Sequence, residues 1–315
     1  VQTCALPISS AGGALSSLQG ASGDGPAYEA ELRALGAAPG SDALFAVSAY
    51  CPIVNLEQAD GAYEWQFRGL TDYRSIQMTM LDFRVQRTEV PGRLDATEQA
   101  WSAELMAGFI DHVNGLTLRD PDGRLLRLAA DGTGPLQDHV AALVMASAQR
   151  ALDGGQDLSA LPWLRLQGGR VQGLDFLAYV RAIGRMKALP AFDGLSLETG
   201  ENQLFGDAAT DKRHFTAWAA AHSRVGGGRA DERAVAMMNP MRALADPASR
   251  VAPHWRIRHG TRDRDTALAI PVLLAAAARA RGAAVDLALP WDRPHSGDYD
   301  LPELFDWIEA LPAPR

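Results

Sequence analysis

The sequence predicts an α/β fold, a doubly wound parallel sheet interrupted by a large, mainly helical insertion. Three observations carry this. A serine turn, "SSAGGALSS", leads into helical spacing and then into a short apolar run, "ALFAVSAY", bounded like a buried strand. From about residue 250 the order strand, helix, strand, loop, helix resumes. Between these pieces, residues 51–240 lack a clear strand series.

After Ser10, residues Ala14, Leu15 and Leu18 fall at helical spacing, and Gly20 and Gly23 close the helix. A second helix is expected over 28–35, and a buried strand over 43–50, between Ser-Asp and Cys-Pro. The middle of the chain is rich in aromatic and Met residues (Tyr63, Trp65, Phe67, Tyr73, Met78, Met80) and reads as helical. Its loops are marked by "RDPDGR", "DGTGP" and "VGGGRADER". In "HWRIRHG", Trp255, Ile257 and His259 alternate as on a strand ending at Gly260. "TALAIPVLLAAAARARG" is an apolar helix with Pro271 in its first turns and Gly282 at its close. "AVDLALPW" is a further strand, "DRPHSGDYD" a loop and "LPELFDWIEAL" a last helix. The expected organisation is a sheet core from 9–50 and 241–315, with 51–240 inserted as a cap, or lid.

At 315 residues, 47% of them hydrophobic, the chain can bury a sizeable core. No apolar run approaches the ~18 residues that a spanning helix needs, so no membrane partner is expected. Thirty basic against 38 acidic residues give a formal charge of −8 without a basic run, which points away from nucleic acid. Cys4 and Cys51 can form neither a disulfide framework nor a four-cysteine zinc site, and leave the redox compartment undecided. Basic charge is almost all arginine, which makes Lys187 and Lys212 conspicuous.

Catalytic groups in open α/β sheets gather at the carboxyl ends of strands. Ser10 lies in a turn before a helix, Asp263 and Asp265 follow the strand near 254–259, and His295 follows the strand 284–291. The chain order Ser…Asp…His is that of α/β-hydrolases. In that chemistry His295 takes the serine proton, Asp263 orients the imidazole, and the Ala11 N–H donates to the oxyanion. Taken singly, each has a plain competing reading: a turn serine, a loop histidine, a solvated or helix-capping acid pair. Their joint placement after three sheet elements favours the hydrolase. His254, His259, Asp263 and Asp265 also lie close in sequence, but 254 and 259 differ by an odd number and would face opposite sides of a strand. No metal or cofactor is therefore expected.

Together, "SAGGALSSLQGASG", "SAYCPIVNLEQADGAYEWQF", "GENQLFGD" and "HWRIRHGTRDRDTALAIPV…PHSGDYD" resemble the bacterial tannases, α/β-hydrolases that cleave galloyl esters. The resemblance runs from about Ser9 to the end. It implies Ser10 as nucleophile, Asp263 as the triad acid and His295 as the base. It also implies that Lys187, Glu201 and Asp265 hold the three phenolic hydroxyls of a galloyl ring. Two carboxylates can accept from such hydroxyls and an ammonium can donate to them. A site built for hydroxyls also rejects analogues lacking them. The implied partner is a small galloyl or other phenolic ester. Alternatives are a feruloyl or chlorogenate esterase on the same machinery, or a non-catalytic relative that binds a phenolic ligand.

The pattern departs at one place. The turn should read Gly-x-Ser-x-Gly, yet position 8 is Ile, preceded by Pro7. The string "VQTCALPI" is what the end of a common sequencing adapter encodes in this frame. Residues 1–8 are therefore read as adapter sequence joined to a gene lacking its N-terminal strands. The expectation is that the chain as written is poorly folded or inactive, because one oxyanion donor comes from an early strand–helix loop.

Overall fold

The computed structural model describes residues 9–81 and 84–312; of residues 78–85, only the backbone outside 82–83 is described. The adapter reading of residues 1–8, with Cys4 and Ile8, lies outside the described residues.

In chain order the first elements are α1 (Ala11–Ala21), α2 (Pro26–Ala34), β1 (Ala46–Tyr50) and α3 (Leu56–Gln66). They are followed by β2 (Asp72–Leu81), β3 (Arg84–Arg93), α4 (Ala96–Gly115) and α5 (Pro135–Asp153). Next come β4 (Leu164–Gln167), β5 (Arg170–Leu174), α6 (Phe176–Ile183), α7 (Gly200–Leu204) and α8 (Ala217–Ala221). The last are α9 (Glu232–Met237), α10 (Pro240–Ala245), β6 (His254–Arg258), α11 (Ala269–Ala280), β7 (Ala284–Ala288) and α12 (Leu301–Glu309).

The central sheet is parallel, in the order β1-β6-β7, with Ala46 opposite His254 and His254 opposite Ala284. Ser9 adds a parallel bridge to Tyr50 on the free side of β1. The mixed α/β architecture and its parallel sheet are as the sequence predicts. β1 is buried along its whole length, as its apolar run requires of a strand covered on both faces. α11 is apolar all round, and ten of its twelve residues are buried. The Gln66 side-chain Oε1 accepts the Leu268 N–H at 2.7 Å, tying the end of α3 to the start of α11.

The buried face of α1 is Gly13, Ser17, Gly20 and Ala21, and Leu15 is exposed. The helix lies so close to the sheet that only small residues fit: a Cβ on Gly20 would come within 2.2 Å of Val47 Cγ2. One expectation is corrected: the middle segment is not all helical. Tyr73, Met78 and Met80 lie on β2, which pairs antiparallel with β3 from Asp72↔Arg93 to Leu81↔Arg84. Side-chain exposure alternates from Thr71 to Ile76, the period of a half-covered strand. A second small hairpin joins β4 and β5.

Candidate active site

Ser10 leaves the sheet beside β1 and starts α1. Its N–H bonds the Tyr50 carbonyl at 3.1 Å, and its backbone stands at φ 60°, ψ −120°. A non-glycine residue at positive φ is strained by about 1–3 kcal/mol and persists only where its surroundings enforce it. Here the sheet on one side and the helix on the other do so. The Gly12 and Ala14 N–H groups are taken by the Ser9 and Ser10 carbonyls. The Ala11 N–H, at the first helical position, has no backbone acceptor among the described residues.

Asp263 follows β6 and is fully buried. Its Oδ1 accepts the N–H groups of Asp265 (2.7 Å) and Thr266 (3.0 Å). Its Oδ2 accepts His295 Nδ1 at 2.7 Å and faces His259 Nε2 at 3.1 Å. Burial opposes the Asp263 charge, but the two imidazoles and the Thr266 N–H outweigh it and hold the carboxyl below its usual range. Burial pushes the His259 pKa down. Since His259 Nε2 faces both Asp263 and the Thr266 carbonyl (3.2 Å), that nitrogen carries the proton and donates.

Burial also disfavours a charged His295, yet its hydrogen bond to Asp263 prevails and raises its pKa. With Nδ1 given to Asp263, His295 Nε2 is buried without a partner among the described residues. The His295 loop packs on the serine turn, since a Cβ on Gly297 would sit 3.1 Å from Ser9 Cβ. Gly260 lets the same loop close over β6: a Cβ there would come within 2.1 Å of the Arg293 carbonyl oxygen.

Sequence reasoning missed how the far end of this loop is held. Arg256 and Arg258 share one face of β6, and both reach the Asp300 carboxylate, which also accepts the Tyr50 hydroxyl. The signal was present in the i, i+2 arginines of "HWRIRHG".

Of the three residues expected to hold phenolic hydroxyls, the structure brings two together. Lys187 Nζ lies 3.0 Å from Asp265 Oδ1 and 3.8 Å from the Phe192 ring centroid. No hydrogen bond or ion pair joins Glu201 to either residue among the described residues. Glu201 lies in the first turn of α7, whose capping residue Thr199 donates to the Phe192 carbonyl at 2.6 Å.

Two further arrangements bear on the assignment. Cys51, His259 and Asp263 offer three potential ligand atoms within 4.8 Å of one another, so the acid is joined there by Cys51 rather than by His254, which packs on Phe45. All three are engaged in hydrogen bonds; the Cys51 thiol donates to the Ser296 carbonyl at 3.3 Å. There is also a second Ser-His-Asp array: His214 bonds Asp193 at 2.8 Å and Ser223 Oγ at 2.9 Å. Asp193 there accepts from Asn202, Phe215 and Thr216 as well, and Ser223 Oγ accepts the Gly227 N–H at 3.0 Å. Those groups staple loops together, and Ser223 has no strained helix-entry turn.

No family model and no curated protein matches the chain. Solved structures do. A tannase from Lactobacillus plantarum superposes with a TM-score of 0.92 at 48% identity, over 96% of this chain and 66% of its own. A tannin acyl hydrolase in complex with ethyl gallate gives 0.89 at 48%, over 96% and 64%. The Fusobacterium nucleatum tannase gives 0.88 at 40%, over 96% and 66%. The chain thus spans 64–66% of the length of the tannases it matches. With likeness this close along nearly all of its residues, the chain belongs to the bacterial tannase family.

Proposed function

We propose that the chain carries the machinery of a serine carboxylic-ester hydrolase that cleaves galloyl esters, on an α/β-hydrolase core with 51–240 as its cap. The observation that carries this reading is the 2.7 Å His295–Asp263 hydrogen bond, with the opposite imidazole nitrogen buried and unpartnered in a loop packed on the Ser10 turn. His295 Nε2 takes the Ser10 proton as Oγ attacks the ester carbonyl carbon. The carbonyl oxygen becomes an oxyanion facing the Ala11 N–H, while Asp263 stabilises the imidazolium. Collapse expels the alcohol, which receives the proton from His295. Water, activated by the same nitrogen, then releases gallate from the acyl-serine.

Lys187, Asp265 and Glu201 are proposed to hold the ring hydroxyls. The matched tannin acyl hydrolase in complex with ethyl gallate supports this substrate class.

The test is stoichiometric labelling with an aryl fluorophosphonate, the site located by peptide mass spectrometry. Label on Ser10, lost in Ser10→Ala and His295→Ala, is the expected result. Label on Ser223, or equal labelling without His295, would sink the assignment.

A further inference from the structure

The stretch "NLEQADGAYEWQF" belongs to the tannase-like pattern, yet none of its residues enters the proposed chemistry. It forms α3, whose Asp60, Tyr63 and Glu64 occupy positions i, i+3 and i+4, one face of the helix. All three are buried, and all three grip the segment 185–193. Asp60 accepts the N–H groups of Phe192 (2.7 Å) and Asp193 (3.2 Å). Glu64 takes both terminal nitrogens of Arg185 at 2.6 Å, and Arg185 Nε donates to the Lys187 carbonyl at 2.8 Å. Between them, the Tyr63 hydroxyl accepts the N–H groups of Met186 (3.1 Å) and Lys187 (2.9 Å) and donates to the Arg264 carbonyl at 2.9 Å.

A phenol has one donor and two acceptor sites, and here each is used. One oxygen atom therefore joins the backbone of Lys187 to the residue just before Asp265. Those are the two residues whose side chains meet at 3.0 Å. The hydroxyl is fully buried, and burial drives its pKa up, so it stays protonated and keeps its donor.

We infer that Tyr63 is the positioning residue of the phenol-binding pair, fixing Lys187 and Asp265 relative to one another through its hydroxyl. It touches neither substrate nor triad. Its effect is on discrimination: a lysine and a carboxylate held at fixed separation match adjacent ring hydroxyls, and a loosened pair does not. This rests on the proposed galloyl reading of Lys187 and Asp265.

The experiment exploits the scarcity of lysine. Reductive 13C-methylation of the full chain labels Lys187, Lys212 and the terminal amine, and Lys187→Arg identifies the Lys187 signal. Gallate and benzoate are titrated into wild type and Tyr63→Phe. In wild type, gallate is expected to perturb the Lys187 signal and to bind roughly tenfold or more tighter than benzoate. In Tyr63→Phe the unliganded Lys187 signal moves toward that of Lys212, and the gallate preference falls to about threefold or less, with benzoate affinity changed by less than about twofold. An unmoved signal with an undiminished preference overturns the inference. If wild type shows no gallate preference, the galloyl reading fails instead, and the unliganded Lys187 signal alone decides the role of Tyr63. Should the variant not fold, amide exchange in wild type decides: Met186 and Lys187 N–H exchanging at the unprotected rate would refute the arrangement.

Discussion

His295 Nδ1 and Asp263 Oδ2 stand 2.7 Å apart, and the other face of the same imidazole has no partner among the described residues. A carboxylate that accepts four polar hydrogens fixes Nδ1 as a donor and turns Nε2 away from the acid. That asymmetry gives the histidine a direction.

It also gives it a pH dependence. Burial disfavours the imidazolium, but the hydrogen bond and charge of Asp263 hold the His295 pKa above its usual value, to about 11. A folded value above the unfolded one contributes stability that is complete below about pH 6.5 and is lost as pH rises through the folded value. In Asp263→Asn burial acts with no carboxylate on Nδ1, so the His295 midpoint falls. Imidazole NMR titration of the two proteins checks this, and an equal midpoint in both would contradict it.

The Asp300 clamp predicts an asymmetry between single and double variants. Arg256 is fully buried beneath Asp300, so Asp300→Ala strands a cation and costs about 3–5 kcal/mol of unfolding free energy. Arg256→Met combined with Asp300→Leu removes both charges and should recover part of that loss. Urea denaturation of the three proteins measures it; a double variant as unstable as the single would count against the clamp.

Gly260 is predicted to tolerate no side chain. Ala at this position meets the Arg293 backbone oxygen rather than a yielding side chain, and costs about 1–3 kcal/mol by overpacking. Relief requires the His295 loop to move, so phosphonate labelling of Ser10 should slow even where the protein remains folded. Labelling at the wild-type rate would show that the loop absorbs the methyl group without shifting His295.

Lys187→Ala removes the ammonium that pairs with Asp265 and leaves the triad untouched. Gallate affinity should fall roughly 10- to 100-fold, and benzoate affinity should hardly change. Calorimetric titration with both acids separates the outcomes, and an equal loss for both would assign Lys187 a general role in the cap. Methyl gallate against methyl ferulate makes the same comparison at the level of the ester.

Much of the candidate site was legible along the chain, because its signals are local. A serine before a small-residue helix, an acid pair after one strand and a histidine after the next can each be read within a few residues. The hairpin of β2 and β3 was not. Over the described side chains its strands are at most half covered, so their pattern of apolar residues is weak, and they pair with each other across the hairpin. The inward face of α1 was not legible for a related reason. Hydrophobic spacing identifies large apolar residues, whereas a helix packed so close that a Cβ on Gly20 would lie 2.2 Å from Val47 Cγ2 selects glycine, serine and alanine on its buried face.

By itself the sequence determined the α/β alternation, the order of the three triad candidates and the isolation of Lys187 among arginines. Tertiary structure decided which groups meet: His259 beneath Asp263, Asp300 across Arg256 and Arg258, and Tyr63 between Lys187 and Arg264. The last spans 124 residues one way and 201 the other. The physical reason is range. Helix and strand preferences act over one or two turns, whereas a buried hydroxyl finds its three partners only after separate elements have packed, and no spacing in the chain records where they will be.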